Sequence, residues 1–558
     1  HIMSATIDPI TRSVVQHRLS SIVAEMGEAM LRTSYSQILN SSRDFSLAIC
    51  DTKGRLIAQA DHIPVHVGAL PWAARAIEER FSDFKPGDVL LLNDPYHGGS
   101  HLPDLTAFVP VFDGERRMYW AIVRAHQSDI GGATHGGYNP TASEIYQEGL
   151  RVPPLFLYRA GELRDDVLDL LALNIRNPRD FRGDLAAMVG AARLGERRML
   201  RLFDEFGGAT VERAVDAILD AAEAQTRAVV ATWKDGVFHG EAFLDDDGSG
   251  GRENIRISAK VTKRGGEVEV DLSDSDPQST RFVNSSHANM QAAVAMAFAY
   301  LIDPDIPKND GCLRALKVIA KQGTIVWADP GRPVTLCTSH PSNEIVEAIV
   351  KALSASCPER AMAGWSRRFR IAIQGEDPRT GRNFIWHMFQ ARPGGGASSQ
   401  GDGWSSIGEW HTVGGIKFGS LEVAEVRFPL HFRHHEFLAD SGGDGQHRGG
   451  LGVALDLVME TQTVALANTA GEGTRHRACG MLGGEDGQPH RYRLISEGRE
   501  PRVLRTKEVG IEIRPGDRFE IRSSGGGGWG DPAQRSQAAR ARDVAQGLVS
   551  SDTTKAGA

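Results

Sequence analysis

Hydrophobic residues recur at helical spacing over the opening of the chain: Val15, Leu19, Ile22, Val23, Met26 and Met30. Asp8-Pro9 stands just ahead of them, an N-cap aspartate followed by a proline suited to the first helical position. The pattern predicts a helix of roughly 25 residues. The period then changes. FSLAICDTKGRLIAQ, residues 45–59, reads as a hairpin turning at Thr52-Lys53-Gly54. A short helix near Pro71–Phe81 and a buried strand at Val89–Leu92 follow. Residues 105–112 (LTAFVPVF) and 118–126 (MYWAIVRAH) are apolar, β-rich runs flanking Asp113-Gly114-Glu115-Arg116, the pattern of a second hairpin.

Residues 166–232 are strongly helical, and from about residue 237 alternating strands such as IRISAKV and VEVDLS take over. Helical stretches at Met290–Leu301 and Glu344–Leu353 interrupt them. Beyond residue 420 most segments are short strands separated by glycine and charge, and the polar tail from Ala533 frays or forms a terminal helix. The fold class expected is α+β with several subdomains. An N-terminal α/β part (1–235) carries the second hairpin, a middle α/β part spans 236–420, and a β-rich, glycine-rich part spans 421–558.

Composition narrows this further. A net charge of −8 argues against a nucleic-acid-binding face, and no stretch of ~18 apolar residues suggests a membrane span. The five cysteines include no C-x-x-C pair, which suits a reducing cytoplasm. His1-Ile2 before Met3 looks like a cloning remnant, with no secretory leader behind it. Glycine, at 62 residues, clusters in runs such as Gly394–Gly396, Gly449-Gly450 and Gly525–Gly528. These loops are expected to shape a substrate channel.

The second hairpin carries the candidate chemistry. Folding it about residues 114–115 sets Asp104 opposite roughly position 125, with His101 within reach. Two imidazoles (His101, His126) and a carboxylate make a ligand set for a first-row divalent ion, Zn²⁺, Mn²⁺ or Fe²⁺. The same residues also suit a polar hairpin mouth with ordinary surface histidines, and H-x-x-D spacing does not choose between the two. Asp44, in SSRDFSLAICD, sits at a strand start, where an aspartate either caps the strand or supplies a fourth ligand. His62 and His66 could line the same cleft. Arg124, Asp129, Glu144, Glu148, Arg151, Arg176 and Arg179 are nearby polar residues, each a surface ion-pair partner or a substrate contact. Gly525–Gly528 lacks the Lys and Ser/Thr of a Walker loop, Asp440-Ser441-Gly442-Gly443 only loosely resembles an actin-like phosphate loop, and the G-x-S-x-G elbow is missing. Any ATP dependence would therefore come from a partner.

Taken together, SSRDFSLAICD, HIPVHVGALP, NDPYHGGSHLPDL, RAHQSDIGG, EIYQEGLRVPP, NIRNPRDFRGDL, DPDIPKNDG, DSGGDGQHRGGLG and GGGGWGDP resemble the hydantoinase B/oxoprolinase family from the opening helix to the glycine-rich tail. The resemblance implies one cytoplasmic subunit of an ATP-dependent hydrolase of cyclic amides (hydantoins, 5-oxoproline, lactams). Its partner would be an actin-like, hydantoinase A-type ATPase that uses ATP and Mg²⁺ to phosphorylate the substrate, in a hetero-oligomer such as (AB)2. It also implies that the three parts of the chain form one hydantoinase B-type unit. The alternative within the family is a subunit of an acetone- or acetophenone-type ketone carboxylase. Matched residue by residue, the family's metal ligands fall on Asp44, His101, Asp104 and His126. Glu148 and Arg179 carry over as catalytic candidates in the cleft.

Overall fold

The computed structural model describes residues 7–60, 63–417 and 419–551. Its first helix, α1 (Pro9–Thr33), begins where Asp8 accepts hydrogen bonds from the Ile10 and Thr11 amides at 3.0 Å. The apolar positions expected on its inner face, Val15 to Met30, are buried, each worth roughly 1.5–3 kcal/mol relative to exposure. A short helix, α2 (Gln37–Asn40), leads into a 7-stranded antiparallel sheet. Its strands are β1 (Phe45–Asp51), β2 (Leu56–Ala60), β3 (Val89–Leu92), β4 (Asp104–Asp113), β5 (Arg116–His126), β6 (Leu155–Arg159) and β7 (Glu162–Leu163), in spatial order β2-β1-β5-β4-β3-β6-β7. Both expected hairpins are present, and β4 and β5 pair Asp104 with His126.

Helices cover both faces of this sheet: α3 (Pro64–Arg80) on one, and α1 and α5 (Pro178–Phe206) on the other, with α4 (Asp165–Leu173) and α6 (Gly208–Ala231) completing the helical run. Alternation along the strands sorts the side chains. Leu47, Ile49, Ala107, Val109, Ala121 and Val123 join the core shared with α1 and α5. Ala48, Cys50, Phe108, Trp120 and Ile122 join the core under α3. Burial on both faces is why these strands read as unbroken apolar runs. By the same parity Asp44, Asp104, Thr106, Arg124 and His126 project toward the α3 side.

Helix α3 corrects the expectation of a short helix at Pro71–Phe81: it runs from Pro64 to Arg80, with Pro71 inside it. Pro64 takes the first-turn position that needs no amide donor, whereas Pro71 costs one intrahelical bond. Taking Pro71 as the start therefore misses the opening turns.

The middle of the chain builds a 4-stranded sheet of β8 (Gly236–Asp246), β9 (Glu253–Arg264), β10 (Glu267–Asp271) and β11 (Leu316–Ile319), the last parallel to β10. Helix α7 (His287–Leu301) packs against α3 and α9 (Ser342–Leu353), with the short α8 (Asp310–Leu313) between them in sequence. Two further antiparallel sheets share one core. The first is β13-β12-β16-β19, from β12 (Phe369–Asp377), β13 (Arg382–His387), β16 (Ala465–Gly471) and β19 (Lys507–Ile513). The second is β14-β15-β20-β17-β18, from β14 (Leu430–Phe437), β15 (Val453–Met459), β17 (Arg491–Ile495), β18 (Arg502–Val503) and β20 (Arg518–Arg522). Ile371, Trp386, Ala467 and Ile511 of one meet Leu455, Leu457, Tyr492 and Phe519 of the other, the arrangement of a sandwich. Helix α10 (Leu421–Arg427) precedes β14, and the tail forms α11 (Gln537–Ala545). The class is α+β, as the sequence predicts.

The glycine runs pack backbone against backbone. Gly526 N–H donates to Gly450 O, and Gly450 N–H to Gly395 O, each at 2.9 Å. A Cβ added at Gly526 would sit 2.0 Å from Gly395 O, and one at Gly450 2.0 Å from Trp404 O. Only glycine permits these approaches.

Candidate metal centre

Strand β5 ends between two partners. Asp104 faces His126 across β4, and on the other side the His126 amide donates to Asp44 O at 3.0 Å. Three strand ends thus deliver Asp44, Asp104 and His126 side by side on the α3 side of the sheet. His101 joins from the turn before β4, where the Asp104 amide donates to its carbonyl at 3.1 Å. His66 arrives from the first turn of α3. All are buried: His101 and Asp104 are 0% exposed, His66 2%, His126 3% and Asp44 5%.

The ligand atoms converge. His101 Nε2 lies 3.2 Å from Asp104 Oδ1, and His126 Nδ1 lies 3.4 Å from the same oxygen. Candidate donor atoms of His101, Asp104 and His126 all fall within 4.8 Å of one another. Asp44 stands one step back, its Oδ2 3.9 Å from His126 Nδ1. His66 Nε2 is 3.4 Å from Asp104 Oδ2 and 3.7 Å from Asp44 Oδ1.

Whether these residues suit a metal turns on what their polar atoms do without one. His101 Nε2 and Asp104 Oδ1 are buried with no hydrogen-bond partner among the described residues. His101 Nδ1 meets Thr335 O at 2.5 Å; as the donor to that carbonyl, it leaves the Nε2 lone pair facing the cluster. Asp104 Oδ2 is occupied by the Ser100 hydroxyl at 2.8 Å, which turns Oδ1 inward. Burial pushes the Asp104 carboxyl up, but His101 and His66 outweigh it and hold it well below the usual carboxylate range. Burial lowers His66 despite Asp104 and Asp44 beside it. An N₂O set with further carboxylate oxygen at hand fits a divalent first-row ion, and no thiolate competes.

The surrounding residues fix this geometry. Glu148 is buried, and its carboxylate accepts from the Val334 amide at 2.7 Å, the Thr335 amide at 2.9 Å and the Thr335 hydroxyl. It therefore anchors the loop that orients His101. Burial pushes its carboxyl up to about 7, against these hydrogen bonds. Tyr138 stacks on His126 (centroids 5.8 Å, 22°) and meets His101 edge-on at 5.9 Å. The Arg370 guanidinium lies over the Tyr138 ring, 4.2 Å from its centroid. Arg124 Nε donates to Thr106 Oγ1 at 2.8 Å beneath the site, its guanidinium wholly buried.

The remaining candidates sort clearly. Arg151 pairs with Asp94 at 3.1 Å, and Arg176 with Asp129 at 2.9 Å. Glu144 caps the turn at Ile145–Gln147. Arg179 stands exposed on the first turn of α5, lining a surface cleft with Ser128 and Arg382, and makes no hydrogen bond or ion pair with the cluster. His62 lies outside the described residues. Sequence reasoning missed Tyr138, twelve residues past His126, and Thr335 and Arg370, which come to the site from segments far along the chain. No local spacing marks them.

Comparison with known proteins places this geometry in context. The sequence profile of the hydantoinase B/oxoprolinase family matches residues 8–532. The chain is similar to caprolactamase subunit beta of Pseudomonas jessenii, 35% identical over 556 residues, covering 98% of this chain and 95% of that protein. The crystal structure of the ATP-dependent caprolactamase from Pseudomonas jessenii superposes with a TM-score of 0.90 at 33% identity, over 98% of this chain and 95% of that one. A nucleotide-free acetone carboxylase structure shares the fold at 18% identity, with a TM-score of 0.88 over 97% of this chain and 78% of that one.

Proposed function

The chain belongs to the hydantoinase B/oxoprolinase family, and from that premise we propose that it is the metal-dependent B-type subunit of an ATP-dependent cyclic-amide hydrolase. Its substrate class is the hydantoins, 5-oxoproline and related lactams. Its partner is an actin-like A-type subunit that spends ATP to phosphorylate the ring amide oxygen. The observation that carries the metal reading is the pair of buried, unpartnered atoms His101 Nε2 and Asp104 Oδ1, facing each other with His126 alongside.

His101, Asp104 and His126 would hold the ion, with Asp44 as the fourth ligand and two carboxylates balancing its charge. Such an ion, when bound, activates water and polarises a carbonyl or phosphoryl oxygen. The chain's own residues do the rest. Thr335 and Glu148 hold His101 in the orientation that presents Nε2. Ser100 holds Asp104. Tyr138 and the α3 start close the site from bulk water, which an activated imidate requires if hydrolysis is to occur only where it is controlled.

The reading is tested by combining the chain with an A-type subunit, ATP and a panel of cyclic amides. Ring opening that needs both subunits and ATP is expected. Lactam hydrolysis by this chain alone, with neither ATP nor partner, overturns the coupled scheme. ATP-dependent fixation of bicarbonate into a ketone, in place of ring opening, assigns the carboxylase alternative.

A further inference from the structure

Four arginines are drawn into the interior around β12 and the segment after β13: Arg367 (1% exposed), Arg368 (8%), Arg370 (2%) and Arg392 (3%). Burying a guanidinium is costly unless acceptors surround it. Three of the four meet that condition. Arg367 pairs with Glu344 at 3.0 Å and with Glu347. Arg370 donates to Gly136 O at 2.7 Å and to His387 Nδ1 at 3.0 Å. Arg392 faces Glu409 at 3.6 Å and donates to Ile416 O at 3.1 Å.

Arg368 does not. Its guanidinium lies over the Phe389 ring at 5.0 Å, and it makes no hydrogen bond or ion pair with any described residue. Its backbone N–H, by contrast, is fixed to His340 Nε2 at 3.2 Å. The position is therefore set while the charged end is left open.

Arg368 stands two residues before Arg370 on a segment that extends the β12 ladder, where the Glu472 amide donates to Arg368 O at 2.8 Å, so the two side chains leave on the same face, and the Arg370 guanidinium lies over Tyr138, 4.2 Å from the ring centroid. Burial pushes the Tyr138 phenol up to about 12, and Arg368 is the strongest of the charges opposing that rise. Tyr138 is the ring stacked on His126. The same guanidinium acts on Glu409 and on His411, and His411 in turn feels His66. Arg368 thus shares a strand face with Arg370, whose guanidinium reaches the ring packed on His126.

We propose that Arg368 is the phosphate-binding residue of this site, its guanidinium supplying the counter-charge for the phosphoryl group of the activated substrate and for the inorganic phosphate released from it. A guanidinium fork matches two oxygens of a phosphate or of a carboxylate. A buried cation lacking a protein partner takes its anion from the ligand. The proposal rests on the ATP-coupled reading for the source of the phosphate, but not for the existence of the anion site.

The test uses the intact purified chain, with inorganic phosphate as the probe and 6-aminohexanoate as a carboxylate arm. Phosphate is titrated calorimetrically into the wild type, Arg368→Gln and Arg368→Lys, and metal content is measured on the same samples. One saturable phosphate site is expected in the wild type. Arg368→Gln should weaken it at least tenfold and Arg368→Lys by less, with metal content unchanged. Thermal unfolding supplies a second readout, because a ligand that binds only the folded state raises Tm. Phosphate should raise the wild-type Tm and leave that of Arg368→Gln unmoved. In phosphate-free buffer the variant should melt no lower than the wild type, since the guanidinium has no hydrogen bond or ion pair with a described residue to lose. Equal phosphate affinity in wild type and Arg368→Gln overturns the proposal, as does a site that takes the carboxylate and not phosphate. A chain that binds phosphate through Arg368 but never carries metal contradicts the metal reading alone.

Discussion

His101 is held from behind by Thr335, and Thr335 by Glu148, so a carboxylate two contacts away decides which nitrogen faces the cluster. Replacing Glu148 by Gln puts an amide NH₂ where backbone amides need an acceptor, and should lower metal affinity about 10–100-fold while the fold survives. The pH dependence carries a sign. Folding raises the Glu148 carboxyl from its ordinary 4.5 to about 7, so the folded state binds the extra proton between those values. The stabilisation is complete below about 4.5 and is lost as pH rises toward about 7. Urea unfolding at pH 5, 6 and 7 should therefore show a steeper fall for the wild type than for Glu148→Gln; parallel curves would remove Glu148 from the account. At this level the sequence was partly readable. The positions of His101, Asp104 and His126 follow from the alternation and turn of one hairpin. Tyr138 does not, because it follows an irregular loop with no period, and Thr335 and Arg370 do not, because only long-range folding brings them in.

Among the elements, α3 matters most after the hairpin, because its first turn carries His66 and its length lies against α7. Gly68 makes that crossing possible: a Cβ there would sit 2.8 Å from Ala292 Cα. Gly68→Ala gains helix propensity, yet the close approach of two backbones dominates, and forcing them apart should cost about 1–3 kcal/mol. Chemical denaturation should read this as a lower midpoint; an unchanged or raised midpoint would mean that α3 and α7 do not pack as described. The hairpins, α1 and the helical run were legible because each carries its own period and its own caps. The start of α3 was obscured by a proline at each of two plausible beginnings. The glycine runs were visible as composition, but their packing against one another depends on partners far away in sequence.

Across the whole molecule, the site is a seam. The candidate metal ligands come from the N-terminal sheet and the turn before β4, while Arg368, Arg370 and His387 come from the C-terminal sandwich, where His387 Nε2 meets Ser128 O at 3.1 Å, just beyond β5. The glycine bundle joins loops from either side of residue 420, Gly395 with Gly450 and Gly526. No described helix is long and apolar enough to cross a membrane. A large buried assembly of this kind is expected to keep its fold when one ligand is changed, which makes the metal claim separable from stability. Elemental analysis of the purified, metal-reloaded chain tests it most directly, with Asp104→Asn measured in parallel and far-UV circular dichroism as the check on folding. About one divalent first-row ion per wild-type chain is expected, with its loss from a folded Asp104→Asn. A wild type that retains no stoichiometric metal, or a variant that retains all of it, would contradict the account.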